Sequence, residues 1–301
     1  MSTRLFSGSS HPDLAQRIAA ELGTSLGKRL LTQFPDGELA VEIQDNVHDQ
    51  DVFVVQSIAG DPNRYLVELL IMIDALKRSS AKNVGAIIPY LGYCRQDRKN
   101  KSGVAITAKL VANLLSKAGA TRLITCDLHA DQIEGFFEIP VDHLRCQRLL
   151  AQASQASLSD NFLVVAPDIG SVKIAEEMAK MLNTRLVIVN KQRIDSFNVT
   201  ATLIGDVSGK DVLIVDDLCS TGGTLAAAIR LCRNSGAKKV AVAVTHALFV
   251  GDASGKIEEC APDALFITDT IPPNEGILTL TRTVVLSTAP LIAEAVIRLR
   301  R

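Results

Sequence analysis

Seven runs of strand length, most of them near-continuous Val, Ile and Leu, recur along this chain at residues 51–56, 84–89, 122–126, 162–166, 185–189, 211–215 and 240–245. A strand with one face in water alternates apolar and polar side chains. A continuous apolar run needs cover on both faces, as in a parallel sheet between helices. Between the runs lie segments of helical period, at 63–78, 106–117, 172–182, 224–234 and 289–300. Strand and helix in alternation dictate βαβ units and an α/β fold. The pattern also repeats. Residues 51–98 read strand, loop, helix, strand and then Arg95-Gln96-Asp97-Arg98; residues 162–193 read the same way and end in Lys191-Gln192-Arg193. In both halves the next strand ends in acid, at Asp127 and at Asp216-Asp217. Two similar α/β domains are expected, with a boundary near residue 147 and a polar stretch at 152–160 just beyond it.

Composition narrows the function classes. A chain of 301 residues suits about two domains. Its 32 basic and 33 acidic residues leave a net charge of −1, which argues against a non-specific nucleic-acid binder or a basic membrane-surface protein. Trp is absent and aromatics make up only 4%, so base-stacking platforms are not expected. No apolar run reaches the roughly 18 residues of a membrane span, and the first residues show neither an h-region nor a cleavage site. Six cysteines at irregular intervals, with no C-x-x-C pair, fit reduced thiols in a cytoplasmic protein better than zinc ligands or disulfides.

The strongest local signal spans 212–225, where an apolar strand runs into Asp216 and Asp217, then Ser220-Thr221-Gly222-Gly223-Thr224, then a helix. Glycines let the backbone approach an anion, and the free N–H groups and dipole of the helix start favour a phosphate there. Two carboxylates just before the loop suit the hydroxyls of a sugar carrying that phosphate. A plain strand–turn–helix with a Ser or Thr cap would need neither the two acids nor the two glycines together.

This loop resembles the phosphoribosyl-diphosphate (PRPP) motif of type I phosphoribosyltransferase folds. Four more segments and the lysine–arginine pair narrow the likeness: Phe34-Pro35-Asp36-Gly37-Glu38; Pro89 through Lys99 with Arg95-Gln96-Asp97-Arg98; Asp127-Leu128-His129-Ala130; Ala166-Pro167-Asp168-Ile169-Gly170; and Lys191-Gln192-Arg193. Together, in order and over essentially the whole chain, they resemble the ribose-phosphate pyrophosphokinase (PRPP synthetase) family. The likeness implies two phosphoribosyltransferase-like domains, each a mostly parallel sheet flanked by helices. They would cover residues 1–146 on the ATP side and 147–285 on the ribose 5-phosphate side, with a C-terminal helix in 286–301 packing back on the first.

The implied reaction is ATP + ribose 5-phosphate → AMP + PRPP, with Mg²⁺ bridging the phosphates. By resemblance, Ser220, Thr221, Gly222, Gly223 and Thr224 hold the 5-phosphate, and Asp216 and Asp217 hold the ribose hydroxyls, directly or through metal. Asp168 and His129 are the expected metal contacts. Lys191 and Arg193 neutralise the transferring group in the transition state and begin a polar stretch, 192–202, expected as a mobile lid. Arg95 contacts the triphosphate and Gln96 lies near the adenine, with Asp97 and Arg98 completing that ATP motif. Phe34, Asp36 and Glu38 reach the adenine of a neighbouring subunit, which makes the chain at least a dimer with a shared ATP site.

The sequence departs from the family's phosphate-activated bacterial and animal members at several positions. Ser220 stands where they usually carry Asp, as in short archaeal members. Lys191-Gln192-Arg193 replaces Lys-Arg-Arg, and Ser171 follows Gly170 where a second Gly is common. The loop after Arg98 is shorter and offers Lys99 and Lys101 in place of arginines, His48 stands where a basic residue is expected, and no Ser-rich tail follows the last helix. Kinship to the short, phosphate-independent members is therefore expected. Two alternatives compete: a non-catalytic regulatory homologue of the family, or a phosphoribosyltransferase that consumes PRPP. The retained Asp168, Lys191, Arg193, Asp216 and Asp217 argue against the first, and Arg95-Gln96-Asp97-Arg98 against the second.

Overall fold

A computed structural model describes residues 3–193, 199–280 and 282–299. The chain divides into two compact units, Met1–Arg145 with Thr270–Pro272 and Ser287–Arg301, and Cys146–Asp269 with Pro273–Leu286.

In the first unit the chain runs β1 (Arg4–Ser7), α1 (Pro12–Glu21), a hairpin of β2 (Arg29–Gln33) and β3 (Leu39–Ile43), β4 (Asp51–Val55), α2 (Pro62–Arg78), β5 (Asn83–Ile88), α3 (Thr107–Ala118), β6 (Arg122–Cys126), a 3-10 segment (Asp131–Phe136) and β7 (Val141–Leu144). Five strands make one sheet in the order β1-β4-β5-β6-β7, every pair parallel. The inner strands are buried on both faces, which is why their sequences read as unbroken apolar runs. Helix α2 starts where Asp61 accepts the Arg64 N–H and Pro62 takes the first turn, a position that has no use for an N–H. It then lays Leu66, Leu69, Met72, Ile73 and Leu76 into the core at helical spacing. A buried carboxylate fixes the turn between β1 and α1. Glu68 accepts from the Ser9 N–H (2.6 Å), from the Ser9 hydroxyl (2.5 Å) and from Gln56 Nε2 (3.0 Å).

The second unit contains α4 (Gln147–Gln155), β8 (Phe162–Ala166), α5 (Val172–Met181), β9 (Leu186–Arg193), β10 (Val199–Ile204), β11 (Asp211–Cys219), α6 (Gly223–Asn234), β12 (Lys239–Ala247), α7 (Ala253–Cys260), β13 (Ala264–Thr268), α8 (Glu275–Leu278) and β14 (Thr283–Leu286). Seven strands form one sheet in the order β10-β9-β8-β11-β12-β13-β14, with β10 antiparallel and the rest parallel. Alternate residues of β11 serve opposite layers. Val212 and Ile214 pack with Leu225 and Ile229 of α6, while Leu213 and Val215 pack with Leu150, Ala175 and Met178 of α4 and α5. The last helix, α9 (Ala289–Arg298), belongs to the first unit and packs against α1.

Several expectations meet differences here. Of the polar stretch at 152–160, residues 152–155 are the last turn of helix α4, which buries Leu150, Ala151 and Ser154 along one side, and 156–160 are turn and loop. Of the expected lid, 192–193 and 199–202 are paired strand, with Arg193 opposite Val199 and Gln192 opposite Thr200; 194–198 lie outside the described residues. The hairpin, β1, β7, β13, β14, α1 and α7 add to the elements anticipated from the sequence.

Candidate active site

In a parallel sheet, ligands bind beyond the carboxyl ends of the strands, at the point where the strand order reverses. In the second unit that point lies between β8 and β11, because β9 follows β8 to one side and β12 follows β11 to the other. The loop after β8 carries Asp168 and the end of β11 carries Asp216 and Asp217. Pairing of β11 with β8 stops at Ile214, whereas pairing with β12 continues to Cys219. The two strands therefore part just before the acids.

Asp216 is 8% exposed and its Oδ1 accepts the Asp217 N–H at 3.0 Å. Burial first, and then the Asp217 and Asp168 carboxylates, hold the Asp216 carboxyl well above its usual range. A buried carboxyl crowded by two further acids calls for a cation or for sugar hydroxyls. Asp168 is tied down from below: its Oδ1 accepts the Ser171 N–H at 3.1 Å and lies 3.1 Å from the Ser171 hydroxyl. Ser171, which stands where a second glycine is common, thus orients the carboxylate beside it.

Beyond Asp217 the chain turns through Ser220 and Thr221 into α6, whose cap is Gly222 at φ +75°. Gly222, without a side chain, supplies no cap of its own to this helix start. The turn is held from behind by backbone bonds, Leu248 N–H and Phe249 N–H to the Cys219 carbonyl and Val250 N–H to the Ser220 carbonyl. Lys256 Nζ adds a 3.2 Å bond to the Thr221 carbonyl. Gly223 opens the helix, followed by Thr224. Cys219 is no nucleophile, because burial and the nearby Asp216 push its thiol up to about 12. Lys191 and Arg193 occupy β9; their side chains lie outside what the structure describes.

In the first unit, two neighbouring strand ends carry expected ATP contacts. After β5 the chain passes Tyr93, at φ +68°, to Arg95, Gln96, Asp97 and Arg98, with Arg95, Gln96 and Arg98 exposed. Thr107 donates to Gln96 Oε1 at 2.6 Å, which fixes that amide at the start of α3. After β6 come Asp127, buried and at φ +28°, then buried Leu128 and exposed His129. Gln132 Nε2 donates to Asp97 Oδ2 at 2.9 Å and joins the two loops. Phe34, Asp36 and Glu38 sit elsewhere, at the tip of the β2–β3 hairpin. Gly37, at φ +97°, makes the turn there, and the Phe34 N–H bonds the Glu38 carbonyl at 2.8 Å. Phe34 is 55% exposed. Among the described residues, no hydrogen bond or ion pair joins these three to Arg95, Gln96, Asp97 or Arg98.

His129 and Asp168, the two expected metal contacts, belong to different units. Among the described residues no group of three or more His, Cys, Asp and Glu side chains is assembled to hold a metal ion. The donor set still fits Mg²⁺, which keeps several waters and binds through one or two carboxylates plus substrate phosphates rather than in an all-protein cage. Two side chains hold these loops: Ser171, marked in the sequence only as a departure from glycine, and His143, which the sequence did not single out. Ser171 braces Asp168, and His143 on β7 accepts the Leu128 N–H at 2.8 Å.

A parallel sheet whose switch point presents two acids and a glycine-capped helix start defines the phosphoribosyltransferase class of fold. A family model described as the phosphoribosyl transferase domain matches residues 136–267. A second, described as the N-terminal domain of ribose phosphate pyrophosphokinase, matches residues 3–119. Relatives named ribose-phosphate pyrophosphokinase cover nearly the full length. The one from Ralstonia nicotianae is 44% identical over 99% of this chain and 95% of its own. The one from Wolinella succinogenes is 46% identical over 98% and 95%. The crystal structure of phosphoribosylpyrophosphate synthetase from Mycobacterium smegmatis superposes with a TM-score of 0.95 at 40% identity, covering 100% of this chain and 99% of that one. The chain belongs to the ribose-phosphate pyrophosphokinase family.

Proposed function

We propose that this protein transfers the β,γ-diphosphoryl group of ATP to the 1-hydroxyl of ribose 5-phosphate, releasing AMP and PRPP for nucleotide biosynthesis. The observation that carries the reading is full-length likeness to ribose-phosphate pyrophosphokinases, with the acid pair and glycine-capped helix start together at the switch point. The 5-phosphate docks on the N–H groups and hydroxyls of 220–224, and Asp216 and Asp217 orient the ribose. The 1-hydroxyl attacks the β-phosphorus and the bond from that phosphorus to the AMP oxygen breaks. Such a transfer asks the protein mainly for positioning and for positive charge around the reacting phosphates. Lys191 and Arg193 supply that charge. Asp168 in one unit and His129 in the other would each take Mg²⁺ together with substrate phosphates, and the metal would add Lewis-acid stabilisation. Arg95, Gln96, Asp97 and Arg98 take the nucleotide, and Phe34, Asp36 and Glu38 close over the adenine of a neighbouring protomer.

The exposed Phe34 at a glycine-bearing turn supports this shared site, because an aromatic held there has its face available for a purine. Purified protein given ATP, Mg²⁺ and ribose 5-phosphate should form AMP and PRPP in equal amounts. Absence of both products, from protein shown to be folded, would overturn the assignment. Mixing an inactive Phe34→Ala, Glu38→Ala chain with an inactive Lys191→Ala chain should restore part of the activity once subunits exchange.

A further inference from the structure

The peptide between Asp127 and Leu128 is held in an unusual way. Asp127 is 2% exposed and adopts φ +28°. That is left-handed backbone for a residue other than glycine, which persists only where neighbours over-determine it. Both neighbouring N–H groups are pinned by β7. The Asp127 N–H bonds the Leu144 carbonyl at 3.0 Å, and the Leu128 N–H bonds His143 Nε2 at 2.8 Å. The first bond continues ordinary sheet geometry. The second depends on one side chain.

That side chain is placed for the task. The His143 side chain is 4% exposed. Because Nε2 accepts from Leu128, its proton sits on Nδ1, which donates to Glu134 Oε1 at 2.5 Å. Glu134 lies in the 3-10 segment that follows the loop, so the ring bridges both ends of the turn carrying His129. Burial pushes the His143 pKa below its usual 6.5; Arg145 works in the same direction, against Glu134 and Asp131. The neutral ring, with Nε2 able to accept, is thus the favoured state. Arg145 is engaged in turn by Asp131 at 2.6 Å.

We propose that His143 is a positioning residue for the reaction: through the Leu128 N–H it locks the strained Asp127–Leu128 peptide and so aims His129 at the phosphates of the nucleotide. This rests on the proposed function above. It assigns His143 no contact with substrate. Its effect passes wholly through residues 127–129.

The test compares purified His143→Gln and His143→Phe with wild type in the AMP-forming assay. Gln carries an acceptor oxygen near the place of Nε2, whereas Phe fills the space and leaves the Leu128 N–H buried without a partner. His143→Phe should lose roughly 10–100-fold in kcat, the scale of an ångström-size misplacement of a reacting group. Its KM for ribose 5-phosphate should stay within about twofold, because that substrate docks on the other unit. His143→Gln should recover most of the loss. In a double-mutant cycle, adding His143→Phe to His129→Ala should change kcat little further. A ring that merely stabilises the fold would lower Tm and leave kcat of the folded enzyme intact, and that outcome would overturn the proposal, as would additive losses in the cycle. Should His143→Phe fail to fold, Glu134→Ala, which frees the ring without removing it, gives the same comparison and should lose kcat in part; wild-type kcat there would equally count against the idea. A wild-type chain that forms no AMP or PRPP would sink the proposed function instead.

Discussion

Gly222 and Gly223 stand side by side in the proposed ribose 5-phosphate loop, yet the structure gives them different reasons to be glycine. Gly222 adopts φ +75°, and a Cβ built on it would lie 3.1 Å from the Ala253 carbonyl oxygen and 3.3 Å from the Ala253 Cα. Both neighbours are backbone of α7 and cannot swing aside. A left-handed conformation costs an L-residue about 1–2 kcal/mol, and the tight contact adds to it, so Gly222→Ala should cost about 2 kcal/mol or somewhat more. For a domain of this size that is a fall in Tm of about 4–8 °C. If the loop relaxes instead, the helix-start N–H groups turn from the phosphate; at about 1.4 kcal/mol per factor of ten, KM for ribose 5-phosphate should rise about 10–30-fold. Gly223 has no such constraint, since the nearest atom to its Cβ is Thr221 Oγ1 at 4.0 Å. Gly223→Ala should leave Tm unchanged or slightly raised, and any loss of ribose 5-phosphate affinity there reports crowding of the ligand alone. Calorimetry of both variants, with initial rates at saturating ATP and varied ribose 5-phosphate, separates the two. A Gly222→Ala protein with wild-type Tm and wild-type KM would refute the reasoning from backbone conformation.

Three further outcomes follow from the same site. The Asp216 carboxyl is held above its ordinary 3.8 by burial and by Asp217 and Asp168; the unfolded chain therefore ionises first, and the folded state loses stability as pH rises above about 4. Asp216→Asn should remove that loss, so ligand-free variant should melt above wild type at pH 7.5 and close to it at low pH, while PRPP formation is abolished; equal Tm at both pH values would show that Asp216 carries no such burden. Lys191→Ala should cut kcat by about 10²-fold or more with little change in either KM, the mark of a charge used only in the transition state, and near-normal turnover would remove Lys191 from that role. His48, Lys99 and Lys101 are exposed and offer no bidentate arginine to an anion, so activity should not depend on added inorganic phosphate, and saturating ATP should relieve ADP inhibition; strict phosphate dependence in a phosphate-free buffer titration would contradict this.

What the sequence disclosed, and what it concealed, divides along physical lines. The runs at 51–56, 84–89 and 162–166 appear as Asp51–Val55, Asn83–Ile88 and Phe162–Ala166 because strands buried on both faces write their burial into every residue. Strands β7 and β14 left no such mark. Each has four residues and a single partner, β6 and β13, so an existing edge holds them more than their own composition does. Helix α4 was hidden for a related reason: its one apolar stripe is narrow, and Gln147 and Ser154 are buried alongside Leu150 and Ala151. The candidate site follows the same rule. The proposed ribose 5-phosphate loop is legible because its acids, hydroxyls and glycines are contiguous in 216–224. Its braces are not, since Asp168 needs Ser171 across a turn and Leu128 needs His143 from a strand fifteen residues on. The backbone strain at Tyr93 leaves no trace in residue type, and aspartate, though it tolerates positive φ better than most, is too common elsewhere to mark Asp127. Both sit just beyond the carboxyl ends of adjacent parallel strands, where the tertiary fold rather than local preference sets the chain direction. Residues proposed to touch ligand can therefore be read from contiguous motifs, whereas the side chain that pins the Leu128 N–H emerges only once β7 is laid beside β6.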